Sequence, residues 1–369
     1  MRITPIAEIN LQHLTENFRQ IQRMCPGAAV MPVVKADAYG HGIIPITTTL
    51  INAGASGFCI ALISELESLI NLNVTVPILH LGRLYKEILQ LTINRNIWCT
   101  LNSVDDMQIL DTHFKDTGSI TTIHMKIDTG MGRLGVLPEK ALDIAIALAG
   151  HPGIKLDGLW SHLSTAEELN PSYYNYQLNL FNETTARITS KIPGISYRHI
   201  ANSSAIMKYP QSHFNMVRPG IALYGALPYD DANSKLKPVM AFKAPVTLIR
   251  KMSKGSSIGY NRKYTLDTDR MIATVQAGYA DGVSTALCNI GQVSFGSKLL
   301  NIVGKISMDQ MAVDVTGVKI KPGDIVTIWG GDNRETRVEK VASRIDKIPY
   351  ELLTSLSNRV EKNIIQEKN

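Results

Sequence analysis

Cysteine is scarce in this chain: Cys25, Cys59, Cys99 and Cys288 are the four in 369 residues. They lie far apart, with neither a pairing pattern nor metal-ligand spacing, and read as reduced thiols of a cytoplasmic protein with no metal centre. No apolar run is long enough to span a bilayer. The N-terminus places Arg2 and Glu8 within its first ten residues, which leaves no secretory apolar segment. Lys and Arg are scattered, with no basic block and no aromatic-basic interleaving, which argues against nucleic acid as a partner. Internal repeats and low-complexity tracts are also missing.

What remains is an ordinary globular composition, 44% hydrophobic and 19% charged, in a chain long enough for two domains. The net charge of +6 gives a mild positive field that favours anionic substrates or a phosphorylated cofactor. Short apolar runs of strand length recur at 29–34, 57–62, 76–81, 97–101, 120–127, 156–162, 198–201 and 216–224. Helical periodicity fills most of the gaps, at 64–72, 84–94, 104–114, 139–149 and 173–190, and an opening helix is expected at 11–24. Eight strands alternating with helices predict an α/β fold, a (β/α)8 TIM-type barrel over 1–228. The stretch 228–238, rich in Asp, Asn and Pro, reads as a linker. Strand-like runs at 244–250, 271–277, 298–306, 311–316 and 324–329 then predict a mainly β domain over 229–369, closed by a helical segment at 337–359.

Residues just after barrel strands line one mouth of such a fold. Read in order, those positions hold Lys35 and Tyr39, then Arg83, Asn102, Arg133, His162, Asn202 with Ser203, and Arg218 with Gly220. Alone, a lysine after a strand is as readily a solvated loop charge, and an arginine there a surface cation. Together they form a cationic mouth suited to a phosphate and a carboxylate. Phosphate sites in this fold tend to follow strands seven and eight, where Ser203 and the Gly220-Ile221 amides fall. Lys35 ends an apolar run and is followed at once by a tight segment with two glycines and Tyr39. A partly desolvated amine there can condense with a carbonyl or carry protons. Lys126 lies inside a strand, where a bare ammonium is costly, so it needs a partner or must lose its charge. The glycines around Arg133 let backbone approach a ligand closely. Beyond the linker, Tyr260 and Tyr279 each sit beside glycine.

Taken together, the stretches Val34-Lys35-Ala36-Asp37-Ala38-Tyr39-Gly40-His41-Gly42, 126–135, Trp160-Ser161-His162, 199–203, Val217-Arg218-Pro219-Gly220-Ile221, Tyr260, 278–282 and Ser307-Met308-Asp309 resemble alanine racemase across about residues 5 to 360. The resemblance implies a pyridoxal 5'-phosphate isomerase, a homodimer with shared active sites. Lys35 would bond covalently to the cofactor and act as one catalytic base. Tyr260 of the partner subunit would be the other, facing the opposite side of the substrate α-carbon. His162 would tune Tyr260, and Arg218 would bond the pyridine nitrogen and disfavour its protonation. Arg133 would meet the cofactor phenolic oxygen and the substrate carboxylate, with the Met308 amide helping from the other subunit. Tyr39, Asn202, Ser203, Gly220 and Ile221 belong to the cofactor site, the phosphate being held by all of these but Asn202. Tyr279 would line the substrate entrance. Lys126 matches a position that carries a carbamate in many members, an anionic form that would pair with Arg133.

Three positions depart from the family pattern. Asn358 stands where many members have a phosphate-binding tyrosine. Thr285 and Lys305 stand where some members place arginines in the substrate corridor. Competing expectations are a racemase of serine, lysine or several amino acids on the same scaffold, or a non-catalytic pyridoxal-phosphate-binding protein. A decarboxylase fits less well, because Arg218 replaces the acidic partner such enzymes give the pyridine nitrogen.

Overall fold

The computed structural model describes residues 3–229, 231 and 234–365, so residues 230, 232 and 233 of the expected linker lie outside the described residues. Two compact units divide the chain. One holds 18–38 and 43–223, and the other holds 1–17, 39–42 and 224–369.

The first unit is the parallel barrel. Strands Phe58–Ile60, Ile78–His80, Ile97–Leu101, Thr121–Lys126, Ile154–Trp160 and Tyr197–His199 pair in sequence order, each parallel to the next. Ala29–Val30 and Met216–Val217 form a second parallel pair. A bridge from Val33 to Cys59 and a bond from Arg218 N–H to the Ala201 carbonyl stitch that pair onto the six at both ends. The ring of eight is therefore closed. Its strands are buried on both faces, which is why they read as continuous apolar runs. The expected run at 29–34 is a strand only at its start, because Pro32 removes a ladder donor. Likewise 216–224 is a two-residue strand followed by a 3-10 turn, Ile221–Tyr224. Helices Ile43–Asn52 and Ser203–Lys208 complete the connections and are not foreseen in the sequence.

The second unit is antiparallel apart from one parallel pair. Strands Arg270–Val275, Met311–Asp314, Lys298–Val303, Gln292–Phe295, Ile325–Gly330 and Met240–Met252 follow one another, and the last pairs back to the first. Closure depends on Met240–Met252, a 13-residue strand with irregularities at Phe242/Lys243 and Val246/Leu248. Those bulges bend it, so one half pairs with Ile325–Gly330 and the other with Arg270–Val275. The chain's first strand, Ile6–Asn10, belongs here by pairing and is flanked by Met240–Met252 and Glu361–Ile365, the latter in parallel. The helix expected over 337–359 is instead two short helices, Val338–Ser343 and Pro349–Thr354. Asp346 at φ 52° and the proline at the second helix start break the periodicity. Among the described residues no helix is long and apolar enough to cross a membrane.

Candidate active site

Because the barrel strands are parallel, their C-terminal ends share one mouth, and the chemistry-bearing side chains of this unit gather there. Lys35 opens a turn in which Ala36, Asp37, Ala38 and Tyr39 all have φ between 51° and 54°. Left-handed backbone costs non-glycine residues about 1–2 kcal/mol each. The surroundings hold it: Glu65 Oε1 accepts from the Ala36 N–H at 2.6 Å, and Asp37 Oδ1 accepts from the Ile43 N–H at 2.7 Å. Glu65 is itself buried, and its other oxygen accepts from the Ala61 and Leu62 N–H groups at 2.8 and 3.0 Å. Sequence reasoning missed Glu65. Its only local signal is an acid in the first turn of helix Ile63–Asn71, which reads as an ordinary cap. Lys35 is half-buried, and burial, then the Arg133 charge, lowers its pKa against a smaller opposing pull from Glu65.

Lys126, at the end of Thr121–Lys126, is fully buried with Nζ 4.7 Å from the Trp160 ring centroid. Burial first, and the Arg133 and Arg218 charges after it, lower its pKa to about 8. Arg218 lies 4.7 Å from the same indole ring and is also buried, its pKa lowered to about 10, so it stays a cation at neutral pH. Its guanidinium donates to the Ser161 carbonyl at 2.7 Å and to His199 Nδ1. His199 Nε2 in turn meets His124 Nδ1 at 2.9 Å. Neither His124 nor its place in this buried row was anticipated from the sequence.

Arg133 is exposed on a glycine-rich turn that Asp128 organises. Asp128 Oδ1 accepts from the N–H groups of Gly130, Met131 and Gly132 at 2.9–3.1 Å. Gly135 has φ +121°, and a Cβ there would lie 2.9 Å from Asp128 N, so only glycine fits. His162 follows strand Ile154–Trp160, and burial plus the charges of Arg218, Arg133, Lys126 and Lys35 push its pKa well below the usual imidazole range. Asn202 caps helix Ser203–Lys208 through the Ala205 N–H at 3.1 Å. Ser203 Oγ accepts from the N–H groups of Gly220 at 2.9 Å and Ala222 at 3.1 Å, which fixes the turn carrying Ile221. Arg83 and Asn102, read from sequence as mouth residues, both engage Asp106, which helps order the turn after strand Ile97–Leu101.

Lys35, Lys126, Arg133 and Arg218 therefore act on one another's charge, while the carboxylates beside them, Glu65 and Asp128 among them, have oxygens occupied by backbone N–H groups. That surplus of positive charge beside a depressed amine fits pyridoxal phosphate and a carboxylate-bearing substrate.

The remaining candidates lie in the other unit. Tyr39 packs against the rings of Tyr224 and Tyr350 at 4.9 and 5.8 Å. Tyr260 is at the tip of a hairpin formed by Ser257–Ile258 and Tyr264–Thr265 and is 67% exposed. Tyr279 and Met308 are exposed side by side in sequence-distant loops, joined by bonds from the Tyr279 N–H to the Ser307 carbonyl and from the Ala280 N–H to the Met308 carbonyl, both 3.0 Å. Thr285, Lys305 and Asn358 are all exposed in this unit.

Comparison with known proteins agrees with this chemistry. Family models described as alanine racemase, N-terminal domain, and alanine racemase, C-terminal domain, match residues 9–228 and 239–364. An alanine racemase of Clostridium novyi is 37% identical over 367 residues, spanning 98% of this chain and 95% of that one. Another from Desulforamulus reducens is 36% identical over 360 residues, spanning 96% and 97%. The solved alanine racemase of Clostridium difficile 630 superposes with a TM-score of 0.91 at 32% identity, covering 100% of this chain and 97% of the other. The chain belongs to the alanine racemase family, pyridoxal-phosphate isomerases that interconvert the enantiomers of alanine.

Proposed function

We propose that this chain racemises alanine with two bases on opposite faces of the substrate α-carbon, Lys35 of one subunit and Tyr260 of the partner subunit, in a homodimer that supplies or consumes D-alanine. The observation that carries the reading is Lys35 itself, a half-buried amine on a left-handed turn whose pKa is lowered by burial and by Arg133. Such an amine exchanges protons near neutral pH more readily than an ordinary lysine. Bound pyridoxal phosphate withdraws electrons from the α-carbon and so acidifies its C–H bond. Lys35, Arg133, His162 and Arg218 would surround its ring, while Tyr39, Ser203, Gly220 and Ile221 would take the phosphate beside Asn202.

In this reading Lys35 Nζ holds or returns the α-proton from one side and the Tyr260 hydroxyl from the other. Arg218 would hold a fixed positive charge at the pyridine nitrogen and so disfavour its protonation. His162, held neutral by burial and then by its cationic neighbours, would be the imidazole that orients Tyr260 of the partner subunit. Arg133 would clamp the substrate carboxylate with the Met308 N–H of the partner subunit, and Tyr279 would border the entrance. A carbamate on Lys126 would replace a costly buried cation with an anion between Arg133 and Arg218. The exposed side chains of Tyr260, Tyr279 and Met308 are open to a second copy of the chain, as a shared active site requires. The four free thiols suit a reducing, cytoplasmic compartment.

Chiral chromatography of L-alanine with the purified protein and cofactor, beside L-serine and L-lysine, tests the substrate. Alanine should approach an equal mixture fastest, and a faster serine or lysine reaction would transfer the reading to that amino acid. Tyr260→Phe tests the two bases. Racemisation should fall about 10²–10⁴-fold, while the α-proton of one enantiomer alone still exchanges with deuterated water. Near-normal racemisation, or loss of exchange from both enantiomers, removes Tyr260 from this role.

A further inference from the structure

We propose that Arg359 is a positioning residue for the substrate end of the site, setting the spacing of Tyr279 and Met308 by bonding two carboxylates at once. The inference rests on the reading of Tyr279 and Met308 as substrate-side residues. Arg359 Nη2 donates to Asp309 Oδ1 at 2.6 Å, and Nε lies 3.3 Å from Asp281 Oδ1. Asp281 sits two residues after Tyr279, and Asp309 follows Met308 directly. One guanidinium therefore spans the two loops that carry the exposed side chains.

The loops are held on their opposite side by backbone. Tyr279 and Ala280 donate to the Ser307 and Met308 carbonyls at 3.0 Å each, and a Cβ on Gly278 would come within 2.3 Å of both carbonyl oxygens. Asp281 is buried, and its second oxygen accepts from the Gly278 N–H at 2.9 Å, closing the 278–282 turn on itself. Gly282, at φ +106°, lies against the Ser355 carbonyl of the segment that brings Arg359, and Ser355 Oγ donates to the Gly282 carbonyl at 3.3 Å. Three stretches distant in sequence thus meet at one point, and Arg359 is the side chain that bonds to two of them. Asn358 stands beside it on the third.

The Arg359–Asp309 pair, half-exposed on both sides, contributes little to global stability. Its consequence is geometric, because a rigid fork fixes direction where a lysine supplies a point charge. Small displacements of binding groups weaken productive substrate alignment steeply, whereas the cofactor-side residues belong to other segments and are left in place.

The test compares Arg359→Gln, Arg359→Lys, Asp309→Asn and Tyr279→Ala in the holoenzyme, reading KM and kcat for L-alanine, cofactor affinity by absorbance titration, and melting midpoint. Arg359→Gln and Asp309→Asn should each raise KM about tenfold, with kcat and cofactor affinity near wild type. Their combination should be no worse than the stronger single change, because both break one linkage. Arg359→Lys should restore only part of the loss. If Tyr279→Ala raises KM while Arg359→Gln and Asp309→Asn leave it unchanged, the positioning role falls and the reading of Tyr279 stands. If Tyr279→Ala leaves KM unchanged, that reading falls and the positioning role with it. A loss of cofactor affinity in step with the melting midpoint would make Arg359 merely structural and overturn the proposal. Should Arg359→Gln fail to fold, Asp309→Asn, at a half-exposed carboxylate, decides the matter alone.

Discussion

Replacing Lys126 with methionine isolates the cost of burying a cation in the barrel mouth. Burial, then the charges of Arg133 and Arg218, lowers the ammonium pKa from 10.5 to about 8. At 1.36 kcal/mol per unit, the charged form costs the folded state about 3 kcal/mol at neutral pH. The Trp160 ring 4.7 Å from Nζ returns about 1 kcal/mol of cation–π attraction. Methionine fills similar space without charge, so Lys126→Met should gain about 2 kcal/mol at pH 7. The folded pKa lies below the unfolded one, so between about pH 8 and 10.5 the unfolded chain binds more protons and wild-type stability rises with pH. The advantage of methionine should shrink across that window and vanish at its upper end. Urea unfolding of both apo-proteins in carbon-dioxide-depleted buffer from pH 7 to 10.5 measures this. Added bicarbonate should stabilise wild type alone, as the neutral amine is converted to an anion facing two arginines. A difference that does not vary with pH, or a methionine variant less stable at pH 7, would refute the reasoning.

Glu65→Gln places an amide N–H opposite the Ala36 N–H, and should cost about 2 kcal/mol in urea unfolding. Because Glu65 draws the Lys35 pKa upward, the same change should lower it further, seen as faster acetylation of Lys35 in apo-protein at neutral pH. Unchanged stability and labelling would remove Glu65 from the lysine turn. Ala36→Val puts a β-branched residue at φ 51° and should destabilise by about 2 kcal/mol, whereas Ala36→Gly should not, as thermal melts of the two variants can check.

Much of the barrel was legible because a strand buried on both faces leaves an unbroken apolar run, as at Ile97–Leu101, and a helix leaves its period, as at Ser172–Thr189. Lys35, Lys126, His162 and Arg218 were legible because each ends or follows such a run. Ile6–Asn10 and Glu361–Ile365 were not, since a strand recognised by its partners carries little local signal, and Glu361–Ile365 is mostly exposed. Ring closure in the second unit hides in the bend of Met240–Met252, which depends on two partners at once. Glu65 and His124 escaped notice for a related reason. Their bonds reach 29 and 75 residues along the chain, and no spacing rule covers such distances.

The row from Arg218 through His199 to His124 fixes where protons can be. A guanidinium only donates, so His199 Nδ1 must accept, its Nε2 must carry hydrogen, and His124 Nδ1 must accept in turn. Hydrogen then lies on His124 Nε2, which is buried with no partner among the described residues. Protonating either imidazole would set two donors face to face, beside a permanent cation, and both rings are held far below their ordinary pKa. The arginine is thereby insulated from acidity over the range in which cells live. On the proposed function, a change in turnover with pH is left to groups outside this row, among them Lys126, whose pKa is lowered to about 8.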